Sequence, residues 1–428
     1  MHRHLLLLCW LALLPALGCA QYETANWYWM DSSRLQFQPG VTNPVIPNAG
    51  ALALPQYGYC TSISDPCGNL LFYVEPERIW NANHQVMGEL TFPVPGPTWA
   101  VSWGKALFAI PKPGSTSEYL LFGRYLFLPS DFNYRLGYLT IDMSLNGGLG
   151  GFAPTVTVLM DSISPHFSCT RHQNGEDYWM VGRRENTNQY YAYQITSTGA
   201  LPPVISTVGP TLQLPPSTTT YIALNSMVFS PDGRKLAMNF YYKTVDTFTY
   251  VMNFDPGTGM VSNPIQLASL PVGPIPGAYY KGETSILFSP DASILYRIQS
   301  SGFPNPINKK IYQTDLSSGN PALIANSIIP AVFDTLQASK ITDIQYGPDG
   351  KIYVLKSHEQ ALSIPYLDPF WLNDTSDQWL GVIQNPNQLG TSCNYVSEGV
   401  KFFYGPNSDP GGYGPFHSLP SPPSSSAP

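Results

Sequence analysis

Apolar and polar residues alternate along short stretches of this chain, and the alternation stops at regular corners. In Lys235–Tyr241, Leu236, Met238 and Phe240 fall on one face; in Phe248–Asp255, Phe248, Tyr250, Met252 and Phe254 do the same. A period of two is the mark of a half-buried β-strand. The corners carry turn chemistry: Phe229-Ser230-Pro231-Asp232-Gly233, Phe288-Ser289-Pro290-Asp291-Ala292 and Tyr346-Gly347-Pro348-Asp349-Gly350. Pro presets φ at the first turn position, Asp bonds its own backbone, and Gly supplies a positive φ. The step from Gly233 to Ala292 is 59 residues and from Ala292 to Gly350 it is 58. Asn174-Gly175 lies 58 before Gly233, and Pro113-Gly114 and Cys67-Gly68 extend the series with steps of 61 and 46.

A second marker keeps the same spacing. A strand ends, often in Asp, and a Ser/Thr/Gly turn follows, as in Asp142 to Gly148, Gln194 to Gly199, Asp255 to Gly259 and Asp315 to Gly319. Each unit reads as strand, hairpin, strand, longer link, strand, turn and fourth strand. One such sheet cannot bury both faces, so neighbours must stack. The pattern predicts an all-β fold, a β-propeller of seven four-stranded blades. The count comes from 408 residues after position 20 divided by a period of about 58. Six hairpin corners are visible, so the seventh blade is expected from both termini, a strand within Trp27–Phe37 and one within Val400–Tyr404. A row of β-sandwiches needs separable domains of about 100 residues joined by linkers, and the Pro-rich pieces here recur inside the units instead.

Composition sharpens this reading. Gly and Pro number 36 and 42 of 428 residues, and charged residues are 11%. So much Pro and so little Glu and Lys argue against a helical bundle. The net charge of -7, with no basic block, argues against nucleic acid as a partner. His2, Arg3 and His4 precede an apolar run from Leu5 to Leu17, too short to span a membrane and typical of a secretory signal. Residues 1–20 are read as that signal, 21–416 as one propeller domain, and 417–428 as a disordered Ser/Pro-rich tail. Cleavage after Ala20 is one reading, and lipidation of Cys19 is the other. Either places the chain outside the cell or on its outer surface, without a transmembrane helix and as a monomer.

Candidate chemistry is sparse. The histidines after the signal, His84, His166, His172, His358 and His417, show no metal-ligand spacing. Asp232, Asp291 and Asp349 each stand alone in a turn, unlike the ligand run of a calcium loop. There is no nucleophile elbow, so no catalytic residue, metal or cofactor is expected. Tyr190, Tyr191 and Tyr193, then Tyr241 and Tyr242, then Tyr279 and Tyr280 are dense. They suit either packing between blades or contact with carbohydrate or peptide. Cys60, Cys67, Cys169 and Cys393 permit three pairings, Cys60–Cys67 among them.

Several stretches resemble the N-terminal propeller-like region of large secreted proteins of Bacteroidetes-type bacteria, which often precedes PKD-type and type IX sorting domains. They are Trp27-Tyr28-Trp29; Ser62-Ile63-Ser64-Asp65 with Gly68-Asn69-Leu70-Leu71-Phe72-Tyr73; Trp80 to Met87; Asp142 to Gly150; His172 to Trp179; Gly347 to Val354; and Asn385-Pro386-Asn387 leading to Cys393-Asn394-Tyr395. The chain departs from that family in a longer stretch at Ser357–Trp379 and in lacking PKD or sorting motifs after Phe416. Cys60 and Cys393 match cysteines that recur in the family. With ring closure, the resemblance implies a Cys60–Cys393 disulfide. Fold and compartment together predict a binding or scaffold module for an extracellular protein or polysaccharide. The alternative is an extracellular hydrolase or lyase with its site at the axial funnel.

Overall fold

In the computed structural model the turn glycines of the repeat all fall where a positive φ is required: Gly68, Gly114, Gly175, Gly233 and Gly350 lie between 68° and 89°, and Ala292 takes the same place at 60°. The structure describes residues 23–28, 34–38, 40–41, 43–45, 61–74, 78–90, 107–126, 134–211, 226–242, 245–271, 281–301, 310–333, 339–358 and 379–401. The signal segment with Cys19, Cys60, Tyr279, Tyr280, His417 and the tail lie outside them.

The first described elements form a ribbon of two strands, β1 (Asn26–Tyr28) and β2 (Arg34–Gln36). Six antiparallel sheets follow in chain order. The first holds β3 (Thr61–Ser64), β4 (Leu70–Val74), β5 (Arg78–Asn81) and β6 (Val86–Glu89). The second holds β7 (Leu107–Pro111), β8 (Glu118–Leu126), β9 (Tyr134–Asp142), β10 (Gly151–Phe152) and β11 (Thr157–Met160). The third holds β12 (Ile163–Arg171), β13 (Tyr178–Arg184), β14 (Gln189–Thr196), β15 (Gly199–Ala200) and β16 (Val204–Thr207). The fourth is β17 (Met227–Phe229), β18 (Lys235–Tyr242), β19 (Val245–Phe254) and β20 (Val261–Leu267). The fifth is β21 (Lys281–Phe288), β22 (Ile294–Ser301), β23 (Lys310–Asp315) and β24 (Ile329–Phe333), with a short helix α1 (Pro321–Asn326) between its last two strands. The sixth is β25 (Ser339–Tyr346), β26 (Ile352–His358), β27 (Trp379–Ile383) and β28 (Tyr395–Lys401).

First strands of neighbouring sheets meet: β3 with β7, β12 with β17, β17 with β21, and β21 with β25. They therefore lie innermost, and the fold is an all-β propeller. Each junction between neighbours holds its own apolar cluster. Ile63 and Phe72 meet Leu121 and Leu139 between sheets one and two, and Phe122 and Leu136 meet Ile163 and Met180 between two and three. The series continues through Trp179 with Met238, Val251 with Phe288, and Ile298 with Ile344.

The blade count differs from the expected seven. Among the described residues there are six sheets of four or five strands, and the place of a seventh is held by the two-stranded ribbon. Trp27 and Phe37 set their rings edge-on against Tyr353 of the sixth sheet, at 5.4 and 5.3 Å between centroids. On its other side Tyr28 stacks on Tyr73 of the first sheet at 4.6 Å. Asn26 Nδ2 donates to Ser64 Oγ at 2.9 Å and to the Gly68 carbonyl at 2.8 Å. Among the described residues the late strand is not paired with the ribbon either. It is β28, whose partner is β27, so the sixth sheet uses it as its own fourth strand. A pair of short strands fills the gap because three large rings, Trp27, Phe37 and Tyr28, supply the apolar contact that a longer sheet would.

The corners position everything else. Asp232 Oδ1 accepts from Arg234 N at 3.1 Å and from Ser230 Oγ at 2.5 Å. Asp291 Oδ1 accepts from Ser293 N at 3.0 Å, and Asp349 Oδ1 from Lys351 N at 3.3 Å. These aspartates form turns. Hairpin corners and strand-three corners lie at one end of the ring, since each follows a strand running the same way. The opposite end, here the loop end, receives the links between second and third strands and between consecutive sheets.

Candidate functional site

The loop end of the second and third sheets gathers a group of arginines and tyrosines. Strand alternation sends Leu120 and Phe122 of β8 toward the third sheet, and Arg124 follows them on the same face. From the other side Tyr178 and Met180 of β13 face the second sheet, and Arg184 continues their face at the strand end. The two sheets come close here because Gly182 has no side chain: a Cβ there would stand 2.8 Å from Ile163 and 3.6 Å from Leu136. Leu136 is the cross-strand partner of Arg124, so Arg124 and Arg184 lie on the two sides of this junction that face each other.

Arg124 is 3% exposed. Its guanidinium carbon stands 3.7 Å above the centre of the Tyr134 ring, and its Nε has no hydrogen-bond partner among the described residues. Burial lowers its pKa to about 10, against the opposing pull of Tyr134 and Glu185. Glu185, at the corner after β13, is held above the ordinary carboxylate value by burial, while Arg124 and Arg183 pull it down. Arg183 is buried, hydrogen-bonds to the Thr187 carbonyl and lies 5.1 Å from the centre of the Phe240 ring. Arg184 is exposed and donates from Nη1 to the Tyr191 hydroxyl at 3.2 Å, which in turn meets Gln189 Oε1 at 3.3 Å. Arg135 pairs with Asp161 at 2.6 Å on the far face of the second sheet. Tyr134, Tyr138 and Tyr191 are half-buried against the junction's apolar cluster, and Tyr193 lies within it. Burial, then Tyr191, raises the Tyr193 phenol to about 12. Such an arrangement can bind: it offers guanidinium donors beside flat aromatic faces.

A second convergence lies at the turn end. Glu23, before the ribbon, has its carboxyl raised by burial and lowered in part by Arg171 of the third sheet. Glu23 and Asp65 both act on Tyr119 of the second sheet, whose phenol burial raises to about 12. Asp65 itself is occupied as a turn former, accepting from Cys67 N and Asn69 N at 2.9 Å each.

The residues singled out from the sequence are dispersed. His172 Nδ1 accepts from Asn174 N at 3.0 Å and its ring lies 5.4 Å from Trp179. His84 has φ 60° in the first sheet's last turn, packed near Tyr28 and Tyr73. His166 and His358 lie on β12 and β26. Tyr190 and Tyr193 are buried between sheets, and Tyr241 and Tyr242 lie on β18. The expected Cys60–Cys393 bridge lies outside the described residues, because Cys60 does. Cys393 is a free, fully buried thiol whose sulfur lies 3.9 Å from the Ala331 carbonyl of the fifth sheet, and burial raises its pKa to about 11. The arginine group was missed, because Arg124 and Arg184 are 60 positions apart. The period itself was the usable signal, since both follow a hairpin corner by about nine residues.

No family model matches the chain, and no curated protein matches it. Solved structures similar to it include a putative 6-phosphogluconolactonase from Bacteroides uniformis, with 12% identity, 85% of this chain and 91% of that one covered, and a TM-score of 0.44. A putative 6-phosphogluconolactonase from Bacteroides fragilis shares 10% identity over 92% and 97% of the two chains, with a TM-score of 0.41. A quinonprotein alcohol dehydrogenase-like protein from Bacteroides thetaiotaomicron shares 10% over 88% and 76%, with a TM-score of 0.40. At these scores the function has to be argued from this chain's own residues. Among the described residues, no helix is long and apolar enough to cross a membrane.

Proposed function

We propose that the chain is an exported recognition module, a monomeric propeller that binds an extracellular protein or polysaccharide at its loop end. One observation carries the reading: arginines and half-buried tyrosines converge from two sheets at the end where the links between strands gather. A rigid ring with varied links is suited to binding, since the sheets fix the geometry and the links set the specificity. Export through residues 1–20, with Cys19 as a lipid acceptor or removed with the signal, belongs to the same proposal. The test is a glycan and purified surface-protein array probed with the wild type and with Tyr191→Ala. Spots that the wild type binds and the variant loses support the reading. Binding that is indifferent to Tyr191 overturns the placement.

A second reading, an extracellular hydrolase or lyase, is favoured by Glu23. Burial raises its carboxyl, and its charge acts between the ribbon, Tyr119 of the second sheet and Arg171 of the third; a carboxyl of raised pKa is a general-acid candidate. A hydrolase panel decides it. Turnover that survives purification and disappears in Glu23→Gln would replace the recognition reading.

A further inference from the structure

We infer that the groove between the second and third sheets takes a carboxylate of an acidic polysaccharide, with Arg184 meeting it at the surface and Arg124 adding charge from beneath. The inference rests on the loop end being the recognition surface and adds the chemistry of the ligand.

Charge supports it first. At the groove Arg124 and Arg184 stand against the one carboxylate of Glu185, a local balance of +1 in a chain whose net charge is -7. Arg135 is matched by Asp161 at 2.6 Å. Arg124 and Arg183 both act on the charge of Glu185. Arg184 hydrogen-bonds a phenol rather than a carboxylate. A guanidinium presents five N–H donors in a planar fork that fits a carboxylate.

The contrast with Arg297 shows what this chain does with a buried arginine that has only a structural task. There the guanidinium is gripped at Nε and Nη2 by Glu283, with Thr314 and the Ala268 carbonyl taking two of the three remaining donors. Arg124 is nearly as deeply buried, at 3%, yet it meets a ring face and leaves Nε without a partner among the described residues. An incompletely matched guanidinium in a groove gains from an incoming anion what Arg297 gains from its own neighbour.

The tyrosines favour a sugar chain over a peptide. Tyr134 and Tyr191 lie half-buried against the same junction, near the loop end of β9 and β14. A pyranose ring that carries a carboxylate can set its C–H face on one phenol ring while its acid group reaches one guanidinium. Aromatic faces give such contact at low entropic cost.

The test is calorimetric titration of the purified full chain with alginate and pectate, with carboxyl-reduced forms of both, and with poly-glutamate. Binding to a polyuronate is expected, weakening as salt rises and lost on carboxyl reduction. Arg184→Gln, an exposed change that leaves folding intact, is expected to weaken it about 10-fold, the value of one charge-assisted hydrogen-bonded contact. Glu185→Gln is expected to tighten it, because it removes the carboxylate competing for the same guanidinium groups. Equal binding of the carboxyl-reduced polymers, indifference to Arg184→Gln, or tighter Arg184-dependent binding of poly-glutamate would each overturn the inference. Neutral glycan binding that needs Tyr191 but not Arg184 would end this inference and leave the recognition reading standing. Failure of every polymer and array ligand would end both.

Discussion

Arg297 grips the Glu283 carboxylate with two guanidinium nitrogens, Nε at 3.0 Å and Nη2 at 2.5 Å, and both side chains are 1% exposed. The pair belongs to the fifth sheet but is locked to the fourth. Thr249 donates to Glu283 Oε2 at 2.8 Å, and Arg297 Nη2 reaches the Ala268 carbonyl at 2.7 Å. Removing one partner leaves an uncompensated charge in the core. Glu283→Gln is therefore expected to cost about 3–5 kcal/mol, read from urea unfolding. Replacing both, as Glu283→Leu with Arg297→Met, is expected to recover most of the loss. A single substitution costing under about 1 kcal/mol would show that the pair does not hold this junction.

Arg124 should behave in the opposite way. No carboxylate among the described residues grips it as Glu283 grips Arg297, and its ring contact with Tyr134 is the main attraction it would lose. Arg124→Met is expected to cost about 2 kcal/mol, the scale of a desolvated cation–π contact and less than the loss of Glu283, while weakening polyuronate binding. Thermal melting beside titration separates the two. A large fall in stability with unchanged binding would make Arg124 structural.

Two hairpin glycines differ in what a side chain would meet. Gly175 has φ 78° and a Cβ there would meet nothing within 4 Å, whereas at Gly233, φ 68°, it would stand 2.7 Å from Thr170 Oγ1. Gly175→Ala is expected to cost about 1–2 kcal/mol from backbone strain alone. Gly233→Ala should cost more, because Thr170 sits on the neighbouring sheet and must move. Equal losses in urea unfolding would remove the steric part of the argument.

His84 makes stability depend on pH. Burial, helped by Arg34, lowers its pKa from 6.5. The folded state therefore binds its proton less readily than the unfolded chain does. Stability from this residue is present above 6.5 and is lost as pH falls through that value toward the folded one. His84→Asn keeps a side chain that tolerates φ 60° and removes the titration. Melting curves between pH 8 and 5 should flatten in the variant. A wild-type curve that is already flat would contradict the shift.

The repeat was legible because its corners need special residues. Pro, Asp and Gly at Pro231-Asp232-Gly233 have few structural uses other than a turn, and their spacing exposed the sheets. The short step of 46 residues between Gly68 and Gly114 has a physical source in the short strands of the first sheet: β4, β5 and β6 have five, four and four residues, against nine each for β8 and β9. The blade count failed because a division of length by period treats every unit as a full sheet. Trp27 and Phe37 fill their place with side-chain bulk rather than strands. The arginine groove was illegible for a different reason. Which face Arg124 and Arg184 take depends on strand register, and one residue of slip would turn either of them away.

The most direct measurement of the central claim, that ligand is taken at the loop end between the second and third sheets, is hydrogen exchange of the full chain with and without saturating pectate. The account predicts slowed exchange confined to Tyr134–Leu136 and Arg183–Tyr191, with the hairpin corners Ser230–Lys235, Ser289–Ile294 and Gly347–Lys351 unchanged. Protection at those corners, or bound pectate with no protection at Arg183–Tyr191, would contradict it.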